Sequence, residues 1–180
     1  MSAIYKNSYA NRGMNLEEDI NITNKYYLDS DIAVIYKKPT PIKITKYNYN
    51  NAKIVEAFFE TQSTLDYNGI YKGKYIEFDA KETNSKTSFP LSNIHKHQLE
   101  HIRRIIRHGG ICFLIVRFTL LNKVFVLSGI DLINFIDNNT RKSIPISYFE
   151  EKGRLVEFKY NPRLDYIKVI DILMEELWDF

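Results

Sequence analysis

The sequence predicts a single layered domain, with helices packed on one mostly buried sheet in an α/β or α+β arrangement. Three observations support this. Apolar residues recur at helical spacing near the start, in the middle and at the end of the chain. Between them lie one strictly alternating segment and several short apolar runs, the marks of half-buried and fully buried strands. A chain of 180 residues is long enough for one buried core and too short for two ordinary domains.

A first helix is predicted over 13–29, where Leu16, Ile20, Thr23 and Tyr27 share a face. Glu17, Glu18 and Asp19 fall in its first turns, where negative charge suits the helix dipole. DIAVIYK then reads as a short buried strand. KPTPIKITKY is extended, because its two prolines exclude a central helix position. IVEAFFE at 54–60 fits either a short helix or a continued strand. The clearest strand signal is a hairpin: Gly69, Ile70 and Tyr71 run out, Lys72 and Gly73 turn, and KYIEFDAKE returns with alternation. Asn93 is placed to cap a helix over 94–107 that carries Ile94, Gln98, Ile102 and Ile105 on one side, and Gly109-Gly110 ends it. ICFLIVRF and KVFVLS read as two further strands and GIDLINFID as a short helix. DYIKVIDILMEELW closes the chain as a helix presenting Ile167, Ile170, Met174 and Leu177. No internal repeat is visible.

Composition narrows the setting. No apolar run approaches the roughly 20 residues that span a bilayer, and MSAIYKNSYANRG lacks the pattern of a signal peptide, so a cytoplasmic protein without a membrane partner is expected. The formal charge of +3 is compatible with a nucleic-acid partner without demanding one. Cys112 lies inside the apolar run ICFLIV and reads as a buried small hydrophobe. His95, His97, His101 and His108 suit a polar helix face better than a metal cluster, so zinc is not expected.

The residues that carry chemistry gather on the hairpin TLDYNGIYKGKYIEFDAKET, 64–83. Strand alternation puts Tyr75, Glu77, Asp79 and Lys81 on one face and Ile76, Phe78 and Ala80 on the other. Asp66 lies just upstream of the partner strand, so the hairpin can draw its carboxylate toward that of Asp79. Two such carboxylates repel unless a cation or proton sits between them. One reading is structural, with Asp66 in an Asx turn with Tyr67, Asn68 and Gly69 and Asp79 in an exposed ion pair with Lys81 or Lys72. The other is a Mg²⁺ site of hard oxygen ligands, with the Lys81 ammonium offsetting charge on a phosphate during hydrolysis of a phosphodiester.

Asp66, Asp79 and Lys81, spaced D-x(12)-D-x-K, resemble the PD-(D/E)xK nuclease signature. The longer segments NRGMNLEEDINITNKYY, KKPTPI, STLDYNGIYKGKYIEFDAKET, KTSFPL, HKHQLEHI, GICF and PRLDYIKVI resemble the RecU family of Holliday junction resolvases over nearly the whole chain. That resemblance implies a restriction-endonuclease-like α/β core, a central mixed sheet flanked by helices, forming one nuclease domain over 1–180 with a stalk-like insertion at about 40–63. It implies metal ligation by Thr64, Asp66, Asp79 and Gln98, Lys81 as the transition-state lysine, and Glu17 acting on the metal or its water. Mg²⁺ is the implied cofactor, with Mn²⁺ as a substitute. Two features depart from the family: Asp79 stands where a glutamate is usual, and the arm before Tyr9-Ala10-Asn11-Arg12 is shorter, so that DNA contacts made by such an arm are expected to be missing.

Lys37, Lys38, Lys43, Lys46 and Lys53 interleave with Tyr36, Tyr47 and Tyr49 ahead of Phe58-Phe59, as phosphate neutralisation and base stacking require. The resemblance implies a protruding stalk here, proposed to enter the centre of the junction, which makes Lys43, Lys46, Lys53 and Phe59, with Arg12, the expected DNA-binding residues. The expected function is paired nicking of four-way DNA junctions in recombination and repair by a homodimer, with a recombinase and branch-migration proteins as further partners. The alternatives are a duplex-cutting restriction or repair nuclease of the same fold and a non-catalytic junction-binding protein.

Overall fold

The computed structural model describes residues 15–59 and 64–178; Arg12 and Gly13, and the part of the predicted insertion over 60–63, lie outside them. The first helix, α1 (Leu16–Asp29), begins after Asn15, whose side chain accepts from the Glu18 N–H at 2.8 Å and satisfies one free helix-end donor. Leu16, Ile20, Thr23 and Tyr27 are buried together, as their spacing requires.

The centre of the fold is a six-stranded mixed sheet. Its strands are β1 (Val34–Lys37), β4 (Tyr67–Tyr71), β5 (Lys74–Thr83), β7 (Ile111–Phe118), β8 (Lys123–Ser128) and β10 (Arg154–Val156), side by side in that order. β5 and β7 run parallel and are linked through α2 (Lys96–Arg107), while the other neighbours are antiparallel. One sheet face packs with α1 and α5 (Ile167–Trp178) through Tyr67, Ile76, Phe78, Phe113 and Tyr166. The other, carrying Cys112, Leu114, Val116 and Phe125, packs beneath α2, α3 (Gly129–Asn138) and α4 (Ile146–Glu151). On α5, Ile167 and Ile170 are buried and Met174 is partly so; the side chain of Leu177 lies outside the description.

Two short segments fold apart from this sheet. β2 (Ile42–Asn48) and β3 (Lys53–Phe59) form an antiparallel hairpin in which every residue is exposed. IVEAFFE is therefore strand, not helix, through Phe59. β6 (Ser88–Pro90) and β9 (Ser143–Pro145) make a second small ladder.

Three sequence expectations change. DIAVIYK is not a buried strand: β1 lies at the sheet edge, with Ile35 buried and Val34, Tyr36 and Lys37 exposed. Asn68 and Gly69 are not a turn: they lie inside β4, and a Cβ built on Gly69 would stand 2.1 Å from the Val34 carbonyl oxygen, so β1 comes too close for any side chain there. Asn93 does not cap α2. Leu91–Asn93 is already a short 3₁₀ turn, Ile94 is extended, and the helix starts after His95, whose N–H donates to Gln98 Oε1 at 3.1 Å. The Lys72-Gly73 turn is as expected, both residues having positive φ. Among the described residues, no helix is long and apolar enough to cross a membrane.

Candidate active site

Strand alternation on β5 sends Asp79 and Lys81 to the face that α2 covers. Asp79 is 0% exposed, so the exposed ion pair considered from the sequence is not what forms. Its Oδ2 lies 2.9 Å from Lys81 Nζ and accepts from Gln98 Nε2 at 2.9 Å, while Oδ1 accepts from the Ala80 N–H at 3.1 Å. Lys72 pairs with Asp171 instead, at 2.7 Å. A buried carboxylate left unpaired would be strongly disfavoured, and Lys81 with Gln98 removes that penalty.

Asp66, half-buried at the entrance to β4, shares a hydrogen bond with Asp79. Burial, then that bond and the Asp79 charge, push its carboxyl up to about 7, only partly offset by Lys81 and Lys37. Asp66 therefore holds on to its proton up to near neutral pH, the behaviour of an acid facing a second carboxylate with too little positive charge nearby. An all-oxygen donor set short of positive charge suits a hard divalent cation, so these residues fit Mg²⁺. Among the described residues no group of three or more His, Cys, Asp or Glu gathers in a metal-holding arrangement, so a cation here would rest on two carboxylates and non-acidic oxygens.

Glu17 reaches the same rim from α1. Its carboxylate pairs with Lys37 on β1, and its backbone carbonyl accepts from the Tyr67 hydroxyl at 3.3 Å. Lys37 and Lys38 thus belong to this site rather than to the exposed insertion.

Thr64 and Gln98 meet as well, through bonds of their own. Gln98 Nε2 donates to the Thr64 carbonyl at 2.9 Å as well as to Asp79. The Thr64 hydroxyl accepts from Lys38 Nζ at 2.6 Å and donates to Glu77 Oε1 at 3.2 Å. Glu77 is 1% exposed, and around it stand Lys38 Nζ, His101 Nε2 at 2.8 Å and the Tyr75 hydroxyl at 2.8 Å. Burial alone would raise its pKa, but hydrogen bonds from Lys38, His101 and Tyr75 outweigh that and hold it below the usual glutamate value. Sequence reasoning placed Glu77 on the correct face and gave it no role; Lys38 and His101, 39 and 24 residues away in the chain, bore no local sign of meeting it.

The expected DNA-binding residues lie elsewhere. Lys43, Lys46 and Lys53 sit on the β2–β3 hairpin, with Lys43 opposite Phe58 and Lys46 opposite Glu56. Phe59 is 80% exposed at the hairpin's base. Arg12 lies outside the described residues.

Fold and site together define a mixed α/β protein in which paired acids and a lysine converge beneath one helix of the sheet. The chain belongs to the family described as Recombination protein U, which matches residues 11–172. It is 53% identical to the Holliday junction resolvase RecU of Pediococcus pentosaceus, over 94% of this chain and 87% of that protein. It is 52% identical to the Holliday junction resolvase RecU of Geobacillus kaustophilus, over 91% and 84% respectively. For the protein of that name from Bacillus cytotoxicus the identity is 49%, over 93% and 87%.

Proposed function

We propose that the chain is a Holliday junction resolvase, a Mg²⁺-dependent endonuclease of the PD-(D/E)xK class that makes paired nicks in four-way DNA junctions as a cytoplasmic homodimer. The observation that carries this is the buried Asp79, bonded to Lys81 and Gln98 and facing Asp66, in a chain about half identical to resolvases of that name. Asp66 and Asp79 would hold the ion, Mn²⁺ serving as a substitute, with Thr64 and Gln98 completing the oxygen set. Gln98 would contribute through Oε1, which also accepts from the His95 N–H while its Nε2 donates to Asp79. When bound, the ion supplies positive charge that polarises the scissile phosphate.

The chain's own groups do the rest. Lys81, fixed at 2.9 Å by Asp79, orients the attacking water and offsets charge growing on the phosphate oxygens. Glu17, tied to Lys37 on the same rim, is assigned to that water. The exposed β2–β3 hairpin serves as the stalk: its lysines take phosphates and Phe59 stacks on a base. Two symmetric cuts require two sites related by a two-fold axis, which a C2 dimer supplies.

Incubation with Mg²⁺ and either a synthetic four-way junction or a matched linear duplex tests this reading. Paired nicks in the junction alone are expected. Equal cutting of both substrates would indicate a restriction or repair nuclease, and binding without cutting an architectural protein.

A further inference from the structure

Lys38 precedes the β2–β3 hairpin in the chain and Thr64 follows it, and both residues bind one atom. Lys38 Nζ and the Thr64 hydroxyl each donate to Glu77 Oε1, on the strand that carries Asp79 and Lys81. The same lysine bonds the Thr64 hydroxyl at 2.6 Å, and its backbone N–H donates to the Asp66 carbonyl at 2.7 Å. His101 and Tyr75 fix the Glu77 carboxylate from α2 and β5, and Gln98 on the same helix ties the Thr64 carbonyl to Asp79. Every residue of β2 and β3 is exposed, so the hairpin has little packing of its own against the domain. What happens to it reaches the sheet through its two ends.

We infer that Glu77 is a specificity-determining positioning residue that joins both ends of the exposed hairpin to the catalytic strand, so that a junction seated on the hairpin sets the position of Thr64 and Asp66. Thr64 follows the hairpin in the chain, and with its carbonyl and hydroxyl both bonded it cannot shift without disturbing Asp79 through Gln98 or Glu77 directly. Coupling through such a network is carried by shared hydrogen-bond partners, and such partners are non-additive on mutation. Glu77 touches neither substrate nor the proposed ion; it acts through Thr64 and Lys38.

This inference rests on the nuclease reading, and its test is separate. Single-turnover cleavage of a four-way junction at saturating protein, and junction affinity without divalent metal, are measured for four proteins: wild type, Glu77→Gln, a variant lacking 43–53, and the combination. Failure of the wild type to cut would count against the nuclease reading itself. Given cutting, Glu77→Gln should bind the junction as the wild type does while cutting roughly tenfold more slowly, on the scale of coupling between residues of one network. The hairpin deletion should weaken binding and slow the saturated rate, and adding it to Glu77→Gln should slow that rate by less than about twofold. Wild-type cutting by Glu77→Gln, or losses that multiply in the combined variant, would overturn the inference. Should Glu77→Gln fail to fold by circular dichroism, Lys38→Met, which removes the same joint from a half-buried position, carries the same expectations.

Discussion

At the scale of single residues, the site divides into charges that do chemistry and bonds that aim them. Asp79→Asn keeps the shape of a buried side chain but removes the charge a hard cation demands, so it should abolish junction cleavage at all practical Mg²⁺ concentrations, as read by product gels. Asp79→Glu restores the residue usual in the family and should keep substantial activity, with a shifted Mg²⁺ to Mn²⁺ preference. Full cutting by Asp79→Asn at limiting Mg²⁺ would sink the ligand assignment. Lys81→Ala should cut at least about 10²-fold more slowly with junction affinity nearly unchanged, the usual scale for losing a preorganised charge. Cys112 illustrates the opposite case of a reactive group kept idle. Burial first, then the Glu77 charge, pushes its thiol up to about 12 from 9.0, and Lys38 offsets only part of this. Because the shift is upward, the thiolate is scarcer at every pH below that value, by about 10³-fold at pH 8.5, so iodoacetamide should label the folded protein far more slowly than the urea-unfolded chain. Equal labelling rates would show that the β7 end of the core opens freely.

At the scale of elements, what the sequence disclosed was what local periodicity encodes. The β5 alternation placed Glu77, Asp79 and Lys81 on one face, and the spacing of Leu16, Ile20, Thr23 and Tyr27 marked the buried side of α1. It could not disclose that α2 would cover the acidic face, because that depends on the parallel pairing of β5 with β7, a contact made across the chain. The burial of Asp79 and the whole Glu77 cluster follow from that pairing, which is why an exposed ion pair remained a reasonable alternative from spacing alone. The turn alternative for Asn68 and Gly69 arose for a related reason. A glycine after Asp-Tyr-Asn looks like turn chemistry, but inside the sheet its use is to let β1 pair with β4 at close range. Gly69→Ala should therefore cost more than about 3 kcal/mol, since backbone, not a flexible side chain, would have to yield. Chemical denaturation should show this, whereas Gly73→Asn, at a turn position with open space around it and a positive φ that Asn tolerates better than other side chains, should cost only about 1 kcal/mol. A Gly69→Ala protein as stable as the wild type would mean that the edge strand is not held where it lies.

At the scale of the whole molecule, cutting and gripping are assigned to different parts: the carboxylates lie beneath α2, and the lysine-bearing hairpin stands outside the main sheet. This separation makes a quantitative expectation for junction binding. Phosphate contacts release counterions, so log affinity falls with log salt by about 0.9 for each phosphate neutralised. Replacing Lys43, Lys46 and Lys53 with Gln should then flatten the salt dependence by about 2 to 3 if all three lysines touch phosphates. Stacking behaves otherwise. Phe59→Ala should cost about 1 to 3 kcal/mol of affinity with the slope unchanged, because an aromatic face releases no counterions. Lys46 is the informative member of the set, as Glu56 lies opposite it across the hairpin. If the two side chains pair in the complex, Lys46→Gln alone should alter the slope less than Lys43→Gln or Lys53→Gln. Fluorescence anisotropy with a labelled junction over a salt series, with metal withheld so that no cutting occurs, separates these contributions. A triple lysine variant with the wild-type slope would place the phosphate contacts off the hairpin and remove it from the binding surface.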